Sequence, residues 1–319
     1  MINPVCVESV FQRSLKLKKS ESCLIVTDTA KEGFARQLYK YARSQGSPSE
    51  IVVMEPTLEH GVEPPAAIAG LMLKFDVQVL VTEKSLSHTK ARRDASLKGA
   101  RIASMPTITE STANRCLDVD YEALREVCAR LHGTLSKARL VTITTELGTS
   151  MEAALVDAGG TRREVFGENG GILDRKGDFG NLPEGEISFS PADCHGIYIV
   201  DATFPGIGKL TSPLEFRVEN GYVVDIKGEH SDSVRSRIDL AGPNAYLVAE
   251  VGIGTNPKAM ITGSVLEDEK VLGTAHVAVG NNLSYGGNND VPLHLDGVIS
   301  APDIICDGKR IMTKGKANW

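Results

Sequence analysis

The sequence predicts two folds in series: an α/β N-terminal domain, a parallel sheet with flanking helices, over 1–138, and an α+β C-terminal domain of mostly antiparallel strands over 139–319. Three observations lead there. Through the first third, apolar runs of strand length alternate with helical patterns, the grammar of a parallel sheet. From about residue 139 helical patterns nearly stop, and Gly-rich turns separate short β-type runs. Within that second part, "FRVENGYVVDI" sets Asn-Gly between two alternating strands, a strong hairpin signal.

The elements follow in order. "CLIVTD" (23–28) reads as a buried strand, and the segment 30–46 as a helix ending at Gly46. "SEIVVMEP" is a strand, "PPAAIAGLMLKF" a helix and "DVQVLVTE" a third strand. "HTKARRDASLKG" is a helix ending at Gly99, and "ARIASMP" the next strand. No GxGxxG follows the first strand, so a dinucleotide site is not supported. The segment 120–138 is one more amphipathic helix. Beyond it, "EISFSP", "GIYIVDATF", "YLVAEVGIG", "AHVAVG", "LHLDGVIS" and "DIICDG" read as strands, with a surface helix over 231–242.

Composition narrows the function classes. At 319 residues, with 41% hydrophobic and 24% charged, the chain is of ordinary globular make-up. A net charge of -6 and the lack of a long basic run argue against nucleic acid as partner. No apolar stretch approaches the ~18 residues that a membrane span needs. The N-terminus lacks the basic start and apolar core of a secretory signal. With six scattered cysteines and no CxxC pair, the expectation is a cytoplasmic protein with reduced thiols.

The chemistry concentrates in the second part. His276 ("GTAHVAVG") and His294 ("PLHLDG") lie in apolar strands, and a two-residue period puts His294 and Asp296 on one face. A lone histidine on such a face is more often a core group bonded to backbone. Glu186 and Glu250, however, also sit in apolar strands, where a carboxylate is costly unless paired, protonated or on a metal. Three carboxylates and two imidazoles suit a pair of divalent ions, zinc, cobalt or manganese, with one carboxylate bridging. Structural zinc sites favour cysteine, which this set lacks; a non-catalytic metal-stabilised module is the alternative of another class. Asp193, His195 and Asp201 read as turn residues, and Arg92 and Arg93 as a solvated helix face.

The order "NLPEGEISFSP", "AEVGIG", "GTAHVAVG", "LHLDGVIS" resembles peptidase family M29, the thermophilic aminopeptidases. "SLSHTKARRDASLKGARIASMP" is similar to a segment that precedes that family's catalytic domain, so the likeness spans most of the chain. It implies a dimer that removes N-terminal residues from small peptides with two metal ions, held by Glu186, Glu250, His276, His294 and Asp296. The family's tyrosine, seven residues after the strand histidine, is Leu283 here; Tyr285, two residues on, is the candidate for its role. Glu184 and His88 are candidates for a general base. The 2,5-dihydroxypyridine dioxygenases share the superfamily and bind one Fe(II). Their triad would fall on His276, His294 and Asp296. The presence of both Glu186 and Glu250 tips the expectation toward the two-metal hydrolase.

Overall fold

The computed structural model describes residues 2–319 and divides them into two compact units. One comprises the residues through Arg125 together with Gly171–Glu184; the other comprises Glu126–Gly170 and Gly185–Trp319. This division differs from a cut at 138/139 in two respects. The helix Tyr121–Leu135 contains the first crossing, and residues 171–184 return to the first unit.

The return has a simple cause. In the first unit, β1 (Cys23–Asp28), β2 (Ser49–Met54), β3 (Val77–Val81) and β4 (Arg101–Ser104) form a parallel sheet, and β8 (Phe179–Asn181) pairs parallel to β4 at its edge. The strand order is β2-β1-β3-β4-β8. Every residue of β1 and β3 is buried, as expected where a sheet is covered on both faces. Leu24, Val26, Leu80 and Ile102 pack with Ile68 and Met72 of the helix Ala66–Met72 and with Ala91 and Ala95 of the helix Lys90–Leu97. Thr89 caps the latter helix by accepting from Arg92 N, and Gly99 follows its end at φ +101, a conformation that glycine adopts without strain.

The second unit holds two antiparallel sheets. One contains β5 (Leu140–Thr144), β6 (Ser150–Ala154), β10 (Asp193–Val200), β13 (Leu214–Glu219), β14 (Tyr222–Lys227), β18 (Asp303–Cys306), β19 (Lys309–Thr313) and β20 (Lys316–Ala317). Their order is β14-β13-β10-β6-β5-β18-β19-β20. The Asn-Gly hairpin is where the sequence puts it: Asn220 and Gly221 join β13 to β14, both at positive φ (+50 and +79). The other sheet contains β7 (Val165–Phe166), β9 (Glu186–Phe189), β11 (Thr203–Phe204), β12 (Gly208–Lys209), β15 (Val248–Gly254), β16 (Thr274–Gly280) and β17 (His294–Ser300), in the order β12-β11-β17-β16-β15-β9-β7.

These sheets share a core. Tyr198 and Phe216 stack at 4.6 Å, and Phe204 joins Phe216 at 5.8 Å. On β17, a Cβ at Gly297 would meet Val200 at 2.4 Å, so that face lies directly on β10. Leu295 and Ile299 alternate with His294 and Asp296, and are therefore on the core face. The opposite face is left for polar work.

Candidate metal centre

The central strands of the seven-stranded sheet carry all five expected ligands. The register explains how they fit. Glu186 on β9 pairs with Gly254 on β15, and Gly252 on β15 pairs with His276 on β16. Ala278 on β16 pairs with Glu250 on one side and Asp296 on the other, and Gly280 pairs with His294. Each long polar side chain thus lies beside a glycine or an alanine. The need is sharpest at Gly252, where a Cβ would stand 2.0 Å from His276 Nε2.

The gathered atoms are close. His276 Nε2 is 3.3 Å from Glu186 Oε2 and 3.7 Å from Glu250 Oε1. His294 Nε2 is 3.1 Å from Glu250 Oε2 and 3.3 Å from Asp296 Oδ1. Glu250 therefore turns one oxygen to each histidine. Two triads result, Glu186–Glu250–His276 and Glu250–His294–Asp296, each with its ligand atoms within 4.8 Å of one another. Ligands bound ~2.0–2.2 Å from one ion stand at comparable separations.

The electrostatics are those of a cation site. Glu186 Oε2, Glu250 Oε1, Asp296 Oδ1 and both ring nitrogens of His276 are buried without a hydrogen-bond partner among the described residues. Native proteins rarely leave such atoms unsatisfied, and a divalent ion would satisfy them. Burial opposes charge on Glu250, yet the nearby His276 and His294 imidazoles hold its carboxyl well below the usual range. Burial alone would lower His276; Glu250 and Glu186 instead push it up to about 9. His294 is treated likewise: burial lowers it, and Asp296 and Glu250 raise it well above the ordinary imidazole value. His294 Nδ1 lies 2.7 Å from the Asn281 carbonyl, so an Nδ1–H donates there and Nε2 faces the carboxylates.

Tyr285 is at this centre. Its ring stacks on His294 at 5.5 Å and 19°, and meets Phe166 edge-on. Burial and the nearby Glu250, Glu186 and Asp296 raise its phenol well above the usual value, so it keeps its proton. Sequence reading missed Glu269 and Lys270. The run "LEDEK" looks like a solvated charged stretch, but Lys270 is fully buried and 2.5 Å from Glu186 Oε1. Its cue was position, seven and six residues before a buried histidine.

His88 and Glu184 belong to the first unit. Arg93 donates to the His88 carbonyl, and Glu184 is buried beside Gly171. His195 is exposed and paired to Asp193 at 2.8 Å. Arg92 corrects the expectation of a solvated helix face: it is buried, donates to the Ser87 carbonyl and lies 3.9 Å over the Phe179 ring.

Fold and site together define a two-unit chain with a candidate metal centre on one sheet of its second unit. The chain belongs to the 2,5-dihydroxypyridine 5,6-dioxygenase (NicX) family, whose model matches residues 10–318. It is similar in structure to the 2,5-dihydroxypyridine dioxygenase from Pseudomonas putida KT2440, with a TM-score of 0.85 and 17% identity over 98% of this chain and 95% of that one. It is also similar to AmpT from Thermus thermophilus, an M29 aminopeptidase, with a TM-score of 0.70 and 17% identity over 98% of both chains. No curated protein matches the chain. The family shown is thus the dioxygenase one, and M29 is a relative by fold. Among the described residues, no helix is long and apolar enough to cross a membrane.

Proposed function

We propose that this protein is a metal-dependent hydrolase of the aminopeptidase kind, with two divalent ions held by Glu186, Glu250, His276, His294 and Asp296. The observation that carries the reading is the two-sided Glu250 carboxylate, Oε1 toward His276 and Oε2 toward His294. With one oxygen toward each histidine, Glu250 would help to hold both ions.

Zinc, cobalt or manganese bound there would supply Lewis acidity and an activated water for attack on an amide carbonyl. The chain supplies the rest. Glu186 and His276 would hold one ion, and His294 and Asp296 the other. The Asn281 carbonyl fixes the His294 ring. Tyr285, stacked on His294, would donate a hydrogen bond to the oxyanion that develops on the carbonyl. We extend the reading to a cytoplasmic homodimer acting on small peptides, the dimer being checked by light scattering.

The family match favours a second reading, a mononuclear Fe(II) ring-opening dioxygenase on His276, His294 and Asp296. Elemental analysis separates the two. The hydrolase predicts two equivalents of zinc, cobalt or manganese, falling toward one in Glu186→Gln, and release of N-terminal residues from a peptide library. One equivalent of iron, unchanged in that variant, with oxygen uptake on 2,5-dihydroxypyridine, would establish the dioxygenase instead.

A further inference from the structure

Lys270 is a buried ammonium that the reading above does not use. It has no exposed surface, and its Nζ lies 2.5 Å from Glu186 Oε1 and 2.8 Å from Glu269 Oε1. Lysine is almost never fully buried without a task or a partner. Here the backbone is also pinned. The Lys270 N–H donates to the Glu267 carbonyl, and its carbonyl accepts from Asn256 N at 2.8 Å. Two residues back, the buried Asp268 carboxylate accepts from Thr203 Oγ1, from Thr262 N and Oγ1, and from Gly263 N. The ammonium is thus delivered to Glu186 by a fixed loop.

Its placement makes the two halves of the centre unequal. The Glu186 oxygen turned toward Lys270 is Oε1; the one turned toward His276 is Oε2, at 3.3 Å. On the other side, Glu250 Oε2 and Asp296 Oδ1 pair with His294 Nε2, at 3.1 Å and 3.3 Å. A positive charge in direct contact with a ligand of one position weakens dication binding there.

We propose that Lys270 is a positioning residue with two effects. It holds Glu186 Oε1, so that Glu186 offers the single oxygen Oε2 to a divalent ion. It also ranks the centre: the Glu250–His294–Asp296 position fills first and the Glu186–Glu250–His276 position second. This rests on the two-position reading above.

The test is calorimetric titration of Co(II) alone into the metal-free full-length chain, with Co(II) visible absorption as a second readout. The wild type is expected to show two binding steps of different affinity. In Lys270→Met the weaker step should tighten by about tenfold or more, closing the gap, while Lys270→Arg keeps it. Lys270→Gln, which retains a hydrogen-bond donor for Glu186 without the charge, should tighten like Lys270→Met and serves if the latter does not fold. Two steps with an unchanged gap in the neutral variants would overturn the proposal, as would equal steps in the wild type. A wild type that takes one equivalent removes the two-metal reading by itself. If the neutral variants then take two, the ranking by Lys270 stands; if they still take one, it falls as well.

Discussion

Glu250 is the side chain on which the centre turns. Its two oxygens serve different histidines, so Glu250→Gln removes charge from both positions at once. We expect metal affinity at both to fall on the order of 100-fold or more, measured by competition with a chromophoric chelator. A fall at only one position would show that Glu250 is not shared. In the first unit, an ion pair shapes the response to acid. Arg101 makes two 2.8 Å bonds to the Glu21 carboxylate and also donates to the Leu15 carbonyl. The Arg101 bond outweighs burial and lowers the Glu21 pKa. A depressed carboxylate stabilises the fold above its unfolded value, and that gain is lost as pH falls through the folded value. Glu21→Gln should therefore cost roughly 3 kcal/mol at pH 7, because Arg101 is left buried without its partner. The difference from wild type should shrink below about pH 4. Urea unfolding at the two pH values checks both statements; an equal deficit at each would contradict the linkage.

At the scale of elements, the four strands β9, β15, β16 and β17 do the organising. Long ligands and small neighbours alternate across them, and Gly252 is the tightest case. Gly252→Ala should push the His276 ring off its place, at a cost of about 1–3 kcal/mol, with at least one metal equivalent lost. Thermal unfolding and elemental analysis of the variant would show it; full metal content would mean the ring has another place to go. Much of this was legible beforehand. The strand period of "LHLDG" put His294 and Asp296 together, and all five ligand candidates do meet on one face. Lys270 was not legible, because its burial comes from tertiary packing around a charged run. The short strand β8 was also missed: "FGN" has almost no strand signal, and only the open edge of β4 recruits it. Arg92 was misjudged for a related reason. Its helix face is covered by Phe179 from that same late segment.

For the molecule as a whole, the centre links stability to metal. Glu186, Glu250 and Asp296 gather around His276 and His294, with Lys270 beside Glu186, and an ion there would offset the crowded carboxylates. Ions that bind the folded state alone stabilise it by mass action, about 2.7 kcal/mol at a hundredfold excess over Kd. Chelation should abolish activity and lower the Tm by several degrees, with the far-ultraviolet circular dichroism below the transition unchanged. Collapse of that signal on chelation would instead mark a structural metal module. The buried cysteines take no part in this: burial pushes Cys23 and Cys306 up to about 12, so their thiolates are scarce near neutral pH.

The late strand β8 also bears on how the chain is made. A ribosome releases residues in order, and the first unit lacks its fifth strand until residue 181 has emerged. By then, β5, β6 and β7 of the second unit are already out. During that interval β4 has an uncovered edge, the kind of backbone that recruits other strands. A nascent chain stalled at residue 138 should therefore bind chaperone more strongly than one stalled past 185, which pull-down of arrested chains would measure. Equal binding would mean that β4 is shielded by other means while the chain grows.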